Sequence, residues 1–175
     1  MIRVGCCGFS RFPARGDKLA NYAGVFKLAE VNQTFYRLPR PSTAEKWRKK
    51  VPEDFEFTVK LNKLVTHEKP FSLEDEVVKT YEKTIEICKI LRAKVLLIQT
   101  PASFRATSEN IKKLEEFLKS VKTPGSITLA WEPRGKTWGK SLIRDLCRKL
   151  GLVHCVDPLK EEPTTEGPVL SLIHI

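Results

Sequence analysis

The chain has 175 residues, 41% of them hydrophobic and 30% charged, and 31 Lys/Arg against 21 Asp/Glu give a net charge of +10. This is length and apolar content for one soluble domain with a core of its own, and no stretch approaches the roughly 20 apolar residues that span a bilayer. Five cysteines, an odd number with no CxxC pair, argue against a disulfide framework and against a zinc site.

The N-terminus moves straight into a strand-like run, Ile2–Cys6, with no secretory signal ahead of it. A cytoplasmic protein with reduced, buried thiols is therefore expected, and adjacent Cys6-Cys7 is where redox chemistry would fit. A weak helix covers Asp17–Leu28, and a second strand covers Ala29–Asn32. Ser42 and Glu45 have the S-x-x-E spacing of a capping box, which predicts a helix running to Lys50. Phe55–Leu61 reads as a third strand. Glu74–Arg92 reads as a helix with Val77, Tyr81, Ile85, Cys88 and Leu91 on one stripe and Ser72 as its cap. Lys94–Gln99 is almost purely apolar, as a parallel strand covered on both faces should be. Asn110–Val121 follows as a helix and Ser126–Glu132 as a fifth strand. Ser141–Leu150 is a helix stopped by Gly151, and Leu152–Asp157 is a sixth strand.

Strand and helix alternate as in βαβ units, and one domain over residues 1–169 is expected. Periodicity alone leaves an open doubly wound sheet and a closed barrel both standing. Gly5-Cys6-Cys7-Gly8 is not G-x-G-x-x-G, and no Walker A lysine motif is present, which weakens a nucleotide-binding doubly wound reading. Polar residues gather just after each strand, where barrel enzymes keep their sites. The expected fold is α/β, a TIM-type (β/α) barrel with about six of its eight strands, incomplete at the C-terminus. After the polar, Pro-rich stretch 160–168 the chain stops where a seventh strand is due. Leu170–Ile175 can be encoded by the transposon-end adaptor of sequencing libraries and is read as a non-native tail. Six strands leave two open edges, so the chain expressed alone is expected to aggregate or to melt without cooperativity.

Five ordered segments carry a family resemblance. They are Arg3-Val4-Gly5 with Gly8-Phe9, Glu30 with Asn32-Gln33-Thr34-Phe35-Tyr36 and Pro39, Phe57-Thr58-Val59-Lys60 with Thr66-His67, Leu97-Ile98-Gln99-Thr100-Pro101 with Phe104, and Glu132-Pro133-Arg134 with Trp138. Together they span nearly all of residues 1–169, and in this order the chain resembles the YecE-like family of unknown function, DUF72. The resemblance implies a TIM-type barrel and a candidate site, but no reaction. Cys7-Gly8-Phe9 stands where many relatives have Ser-Gly-Trp, and Gly135 or Lys136 where relatives often have a His. An acid–base role for that His does not carry over.

From the residues themselves, the strand ends collect Glu30, Asn32, Tyr36, Lys60, His67, Gln99, Glu132, Arg134, Trp138 and Asp157. Glu30 and Asn32 share parity and would face one side. An unpaired charge inside a barrel is costly, so Lys60 is expected to pair with Glu30 or Glu132. Two readings stand: an internal ion-pair network holding the upper layer, or a ligand or catalytic site. In the second, Glu132 is a general base, Lys60 or Arg134 holds an anionic group, and His67, in a polar loop, shuttles protons. Tyr36 and Trp138 would stack on a sugar or base, or pack the rim. Asn32 and Gln99 would orient a substrate or satisfy backbone groups, and Asp157 before Pro158 would be a ligand or a turn former.

No metal site is expected, since His67 and His154 are too few for converging ligands, and no motif names a cofactor. The expected function is therefore an enzyme or binder for an anionic, phosphorylated or sugar-like small molecule at the C-terminal face. The alternative is a nucleic-acid-binding or repair-type barrel that uses the basic residues Arg37, Arg40, Lys46, Arg48, Lys49 and Lys50. Oligomeric state is not legible.

Overall fold

The computed structural model describes residues 3–165. The last residues, including the expected non-native tail Leu170–Ile175, lie outside the described residues.

Six strands form one parallel sheet: β1 Gly5–Cys7, β2 Leu28–Val31, β3 Glu56–Lys60, β4 Val95–Thr100, β5 Thr128–Pro133 and β6 Leu152–His154. Their spatial order is their chain order. A doubly wound sheet reverses strand order at a switch point; this sheet turns one way throughout, as a barrel wall does. The arc is not closed among the described residues, since β1 and β6 pair only with β2 and β5. The helices are α1 Lys18–Val25, α2 Gln33–Tyr36, α3 Pro41–Lys49, α4 Asp75–Leu91, α5 Ser108–Ser120 and α6 Lys140–Leu150. None of them is long and apolar enough to cross a membrane.

Strand side chains alternate between two faces. One set, including Phe57, Val59, Leu96, Ile98 and Trp131, is buried with Tyr81, Ile85, Leu114, Phe117, Ile143 and Leu146 of the helices. This is the main core, and the helical stripes read from the sequence supply its outer half. The alternate set includes Val95, Leu97, Ala130 and Cys155, a small apolar cluster on the inner face of the arc. At the C-terminal ends of the strands this inner set becomes polar, and there the candidate site begins.

The first strand depends on a glycine. A Cβ on Gly5 would lie 2.0 Å from the Leu28 carbonyl oxygen, so any side chain would force β1 off β2. Tyr22 of α1 ties the same two strands: its hydroxyl accepts from the Cys6 N–H at 2.6 Å and donates to the Leu28 carbonyl at 2.8 Å.

The expected boundaries shift in places. The capping box at Ser42 is not formed. Pro41 occupies the first turn of α3 and Arg40 is the cap residue, without a side-chain cap bond. Proline pre-sets helical φ and has no N–H to satisfy, so the helix starts before Ser42. Ser72 shapes the turn ahead of α4, accepting from the Glu74 N–H, while Glu74 is the cap residue. Thr107 caps α5 by accepting from Asn110 N–H at 3.2 Å, and Gly151 ends α6 at φ 65°. Two short elements were not anticipated: α2, and a π-helical turn over Leu64–Glu68. The strand expected over Leu152–Asp157 ends at His154, and Asp157 closes a turn.

Candidate functional site

The register brings the inner-face polar residues together. Cys7 lies beside Glu30, Glu30 beside Thr58, and Lys60 is two residues above Thr58 on the same face. Across the arc, Gln99 lies beside Glu132. Each of these side chains leaves the last residues of a parallel strand and meets its neighbours over the apolar layer of Leu97 and Ala130.

Glu132 is the most constrained. It is buried, its Oε2 accepts from Gln99 Nε2 at 2.6 Å, and its Oε1 accepts from Arg134 Nε at 3.0 Å. Gln99 thus orients a carboxylate rather than satisfying the backbone. Glu30 is only 5% exposed, and its Oε2 has no hydrogen-bond partner among the described residues. Burial raises its pKa above the ordinary carboxyl value, opposed by the Lys60 charge and a Cys7 hydrogen bond and reinforced by Glu132. Asn32 Oδ1 and Thr58 Oγ1 are likewise buried without a partner. Asn32 sits just past β2 with helical backbone, so strand parity does not decide its direction.

The expected Lys60 ion pair is absent. The Lys60 ammonium has no carboxylate within 4.0 Å among the described residues. It lies over the Phe35 ring, 4.6 Å from the centroid, where the ring quadrupole attracts it. Burial lowers the Lys60 pKa, the Glu30 and Glu132 charges oppose that, and Arg134 adds to it. Lys60 is thus electrostatically coupled to both carboxylates without being captured by either.

His67 belongs to the π-helical turn, not to a free polar loop. Its ring meets Phe35 edge-on at 4.9 Å, and its Nδ1 is 2.8 Å from Thr66 Oγ1. Burial, then Lys60 and Arg134, lower its pKa, so it is neutral at neutral pH. Tyr36 is exposed on the rim beside Phe35. Trp138 is not brought to the site: it is buried, stacks with Phe104, meets Trp131 edge-on and donates to the Phe104 carbonyl at 2.9 Å. Asp157 serves its turn, accepting from Leu159 N–H at 3.1 Å and pairing with Lys160 at 3.0 Å. Of the basic run, Arg48 donates to the carbonyls of Phe55, Val51 and Pro52, and Lys50 pairs with Asp17 at 2.5 Å.

Three participants were missed as site residues. Thr58 shares parity with Lys60 and was legible for that reason. Cys6 and Cys7 are exposed rather than buried as expected; the Cys7 thiol nevertheless faces Glu30, and local desolvation followed by that carboxyl pushes it up to about 11, which makes it unreactive as a thiolate. Phe35 had no signal of its own, because only the packing of α2 against β3 places its ring under Lys60. Among the described residues, no group of three or more His, Cys, Asp or Glu is placed to hold a metal ion.

The loops that follow the strands carry the charge. The five loops from β1 through β5 to the next long helix hold nine Lys/Arg and three Asp/Glu. The five helix-to-strand loops at the other end hold five and two.

Comparison with known proteins agrees with this architecture. The chain is 29% identical over 152 residues to the UPF0759 protein YunF of Bacillus subtilis, matching 79% of this chain and 52% of that protein. It thus spans about half the length of the curated relatives it matches. A DUF72 family protein from Thermotoga maritima superposes with a TM-score of 0.74 at 28% identity, over 94% of this chain and 71% of that one. One from Enterococcus faecalis does so with a TM-score of 0.78 at 22% identity, over 99% and 73%. The family model described as protein of unknown function DUF72 matches residues 3–170, and the chain belongs to that family.

Proposed function

We propose that the inner face of the arc, at the C-terminal ends of β1–β5, binds a small anionic molecule bearing hydroxyl groups, such as a sugar phosphate, and acts on it by acid–base chemistry. The observation that carries this is the set of buried polar atoms without a partner among the described residues, Glu30 Oε2, Asn32 Oδ1 and Thr58 Oγ1, beside a lysine that none of the described carboxylates captures. Each unsatisfied buried polar group costs about 1–3 kcal/mol, which hydroxyl groups of a ligand would recover. Glu132 and Arg134 do close on one another, but Lys60 closes on no carboxylate among the described residues, and an internal ion-pair network would not leave it so. Lys60 and Arg134 are the anion anchors, and the excess of Lys/Arg in the surrounding loops favours anionic ligands at a distance. Glu132, oriented by Gln99 and Arg134, is the general base. Glu30, whose pKa burial raises above the ordinary carboxyl value, is the acid, and His67 can relay a proton at the rim.

A thermal-shift screen against sugar phosphates and nucleoside monophosphates tests this reading. A stabilising ligand is expected, with affinity about tenfold or more weaker in Lys60→Ala. No shift with any of them, or an equal shift in Lys60→Ala and Glu132→Ala, would sink it.

A second reading, nucleic-acid binding, draws on Arg37 and Arg40 of the loop after β2 and on Lys46 and Lys49 of α3. It predicts binding whose affinity falls steeply with salt and weakens when Arg37, Arg40, Lys46 and Lys49 are neutralised together. Arg48 and Lys50 are already engaged within the chain. Salt-independent binding would remove it.

A further inference from the structure

We infer that Lys60 is a covalent nucleophile, forming a Schiff base with an aldehyde or ketone that also carries an anionic group; this rests on the binding site proposed above and names its substrate class.

Four observations point the same way. Lys60 leaves the end of a central parallel strand on the inner face, so its amine reaches a ligand seated in the arc. It has no ion pair within 4.0 Å among the described residues and rests on an aromatic face instead, so no carboxylate must be broken away before it reacts. Glu30 is diagonal to it across β2 and β3, more than nine-tenths buried, with Oε2 unpartnered among the described residues. Arg134, paired with Glu132 and partly exposed, adds a second cation to this end of the sheet. An anion anchor alone would need none of the third feature. Burial supports the chemistry further, since it favours the neutral amine and the neutral acid together.

The step balances without a co-reactant. The Lys60 lone pair attacks the carbonyl carbon, a C–N bond forms, and the carbonyl π electrons move to oxygen. The Glu30 carboxyl gives its proton to that oxygen and takes one from nitrogen, yielding the carbinolamine. Glu30 then protonates the hydroxyl, water leaves, and the nitrogen lone pair closes the C=N bond. The two neutral groups become a carboxylate facing an iminium cation, an opposite-charge pair that stabilises the intermediate. No group is oxidised or reduced. The iminium acidifies the adjacent C–H, and Glu132 is the base positioned to take that proton.

The test is reductive trapping. Wild-type protein is incubated with dihydroxyacetone phosphate, glycolaldehyde phosphate or pyruvate plus sodium cyanoborohydride, and adducts are located by peptide mass mapping. Thermal shift is read in parallel without the reductant. The expected result is an adduct on Lys60 ahead of every other lysine, absent in Lys60→Arg and formed about a hundredfold more slowly in Glu30→Gln. Stabilisation by one of these compounds with adducts spread over the surface lysines overturns the covalent role and leaves the binding site standing. Neither shift nor Lys60 adduct with any of the three overturns the covalent role, and the binding site then falls only if the sugar-phosphate and nucleotide screen is also blank. An adduct that forms equally fast in Glu30→Gln removes Glu30 from the step.

Discussion

Glu30 shows how one residue links the fold to the site. Its strand position was readable from parity, and its identity as an acid was plain, but its burial and an Oε2 without a partner among the described residues belong to the assembled arc. They also set a pH signature. The folded state raises its pKa above the ordinary 4.5, so above pH 4.5 the native state holds this proton more tightly than the unfolded chain does. The contribution of protonated Glu30 to stability is therefore full below 4.5 and is lost as pH rises through the native value. Glu30→Gln keeps the shape and removes the titration. Denaturant titrations at a series of pH values should give near-equal stabilities of the two proteins at acid pH and a growing advantage for Glu30→Gln towards neutrality. A difference that stays constant with pH would show that Glu30 titrates normally. Lys60 and Phe35 make the complementary point: the lysine was identified as a candidate, but the expected ion pair was replaced by a ring contact, because the ring arrives on an element too short to announce itself.

At the scale of the element, helices were legible where a long apolar stripe repeats, as in α4, α5 and α6. Their ends followed local chemistry. Thr107 caps α5, and Thr107→Ala should cost about 1 kcal/mol, measurable as a shift in denaturation midpoint at unchanged slope. Tyr22 binds α1 to both β1 and β2 through a hydroxyl with two backbone partners. Tyr22→Phe leaves the ring contacts with Phe12, Phe26 and Phe55 and strands the Cys6 N–H and the Leu28 carbonyl. The expected loss is about 1–3 kcal/mol, with faster amide exchange at Cys6; wild-type protection there would mean that water replaces the hydroxyl without cost. The capping box at Ser42 failed because two start signals competed within two residues and the proline decided the φ angle. The π-helical turn Leu64–Glu68 had no periodic signature, since five residues are too few to show one.

At the scale of the whole molecule, β4 and β5 pair over six residues at the centre of the sheet, whereas β1 is a three-residue exposed strand at one edge. Local stability should follow that gradient. Hydrogen exchange is expected to be slowest in β4 and β5 and fastest in β1. Uniform protection across all six strands would indicate that β1 is covered by another chain, and open sheet edges invite such pairing. The one-way strand order also separates the two ends of the sheet, so the loops that follow the strands gather nine basic residues around one mouth. No window of sequence displays that sum, because the five loops are spread from residue 8 to residue 139.

The sequence by itself determined the alternation of strand and helix, the family, and most of the residues at the strand ends, because these depend on local periodicity and on residue type at fixed short spacings. Only the tertiary structure decided which strand ends share a site, because that is set by register between strands far apart in the chain. It placed Trp138 in the core, gave Asp157 to a turn, set Glu132 between Gln99 and Arg134, and left Glu30 and Lys60 coupled but unpaired. Burial and partnership are properties of the packed arc, and they are what turn a list of polar residues into a candidate for chemistry.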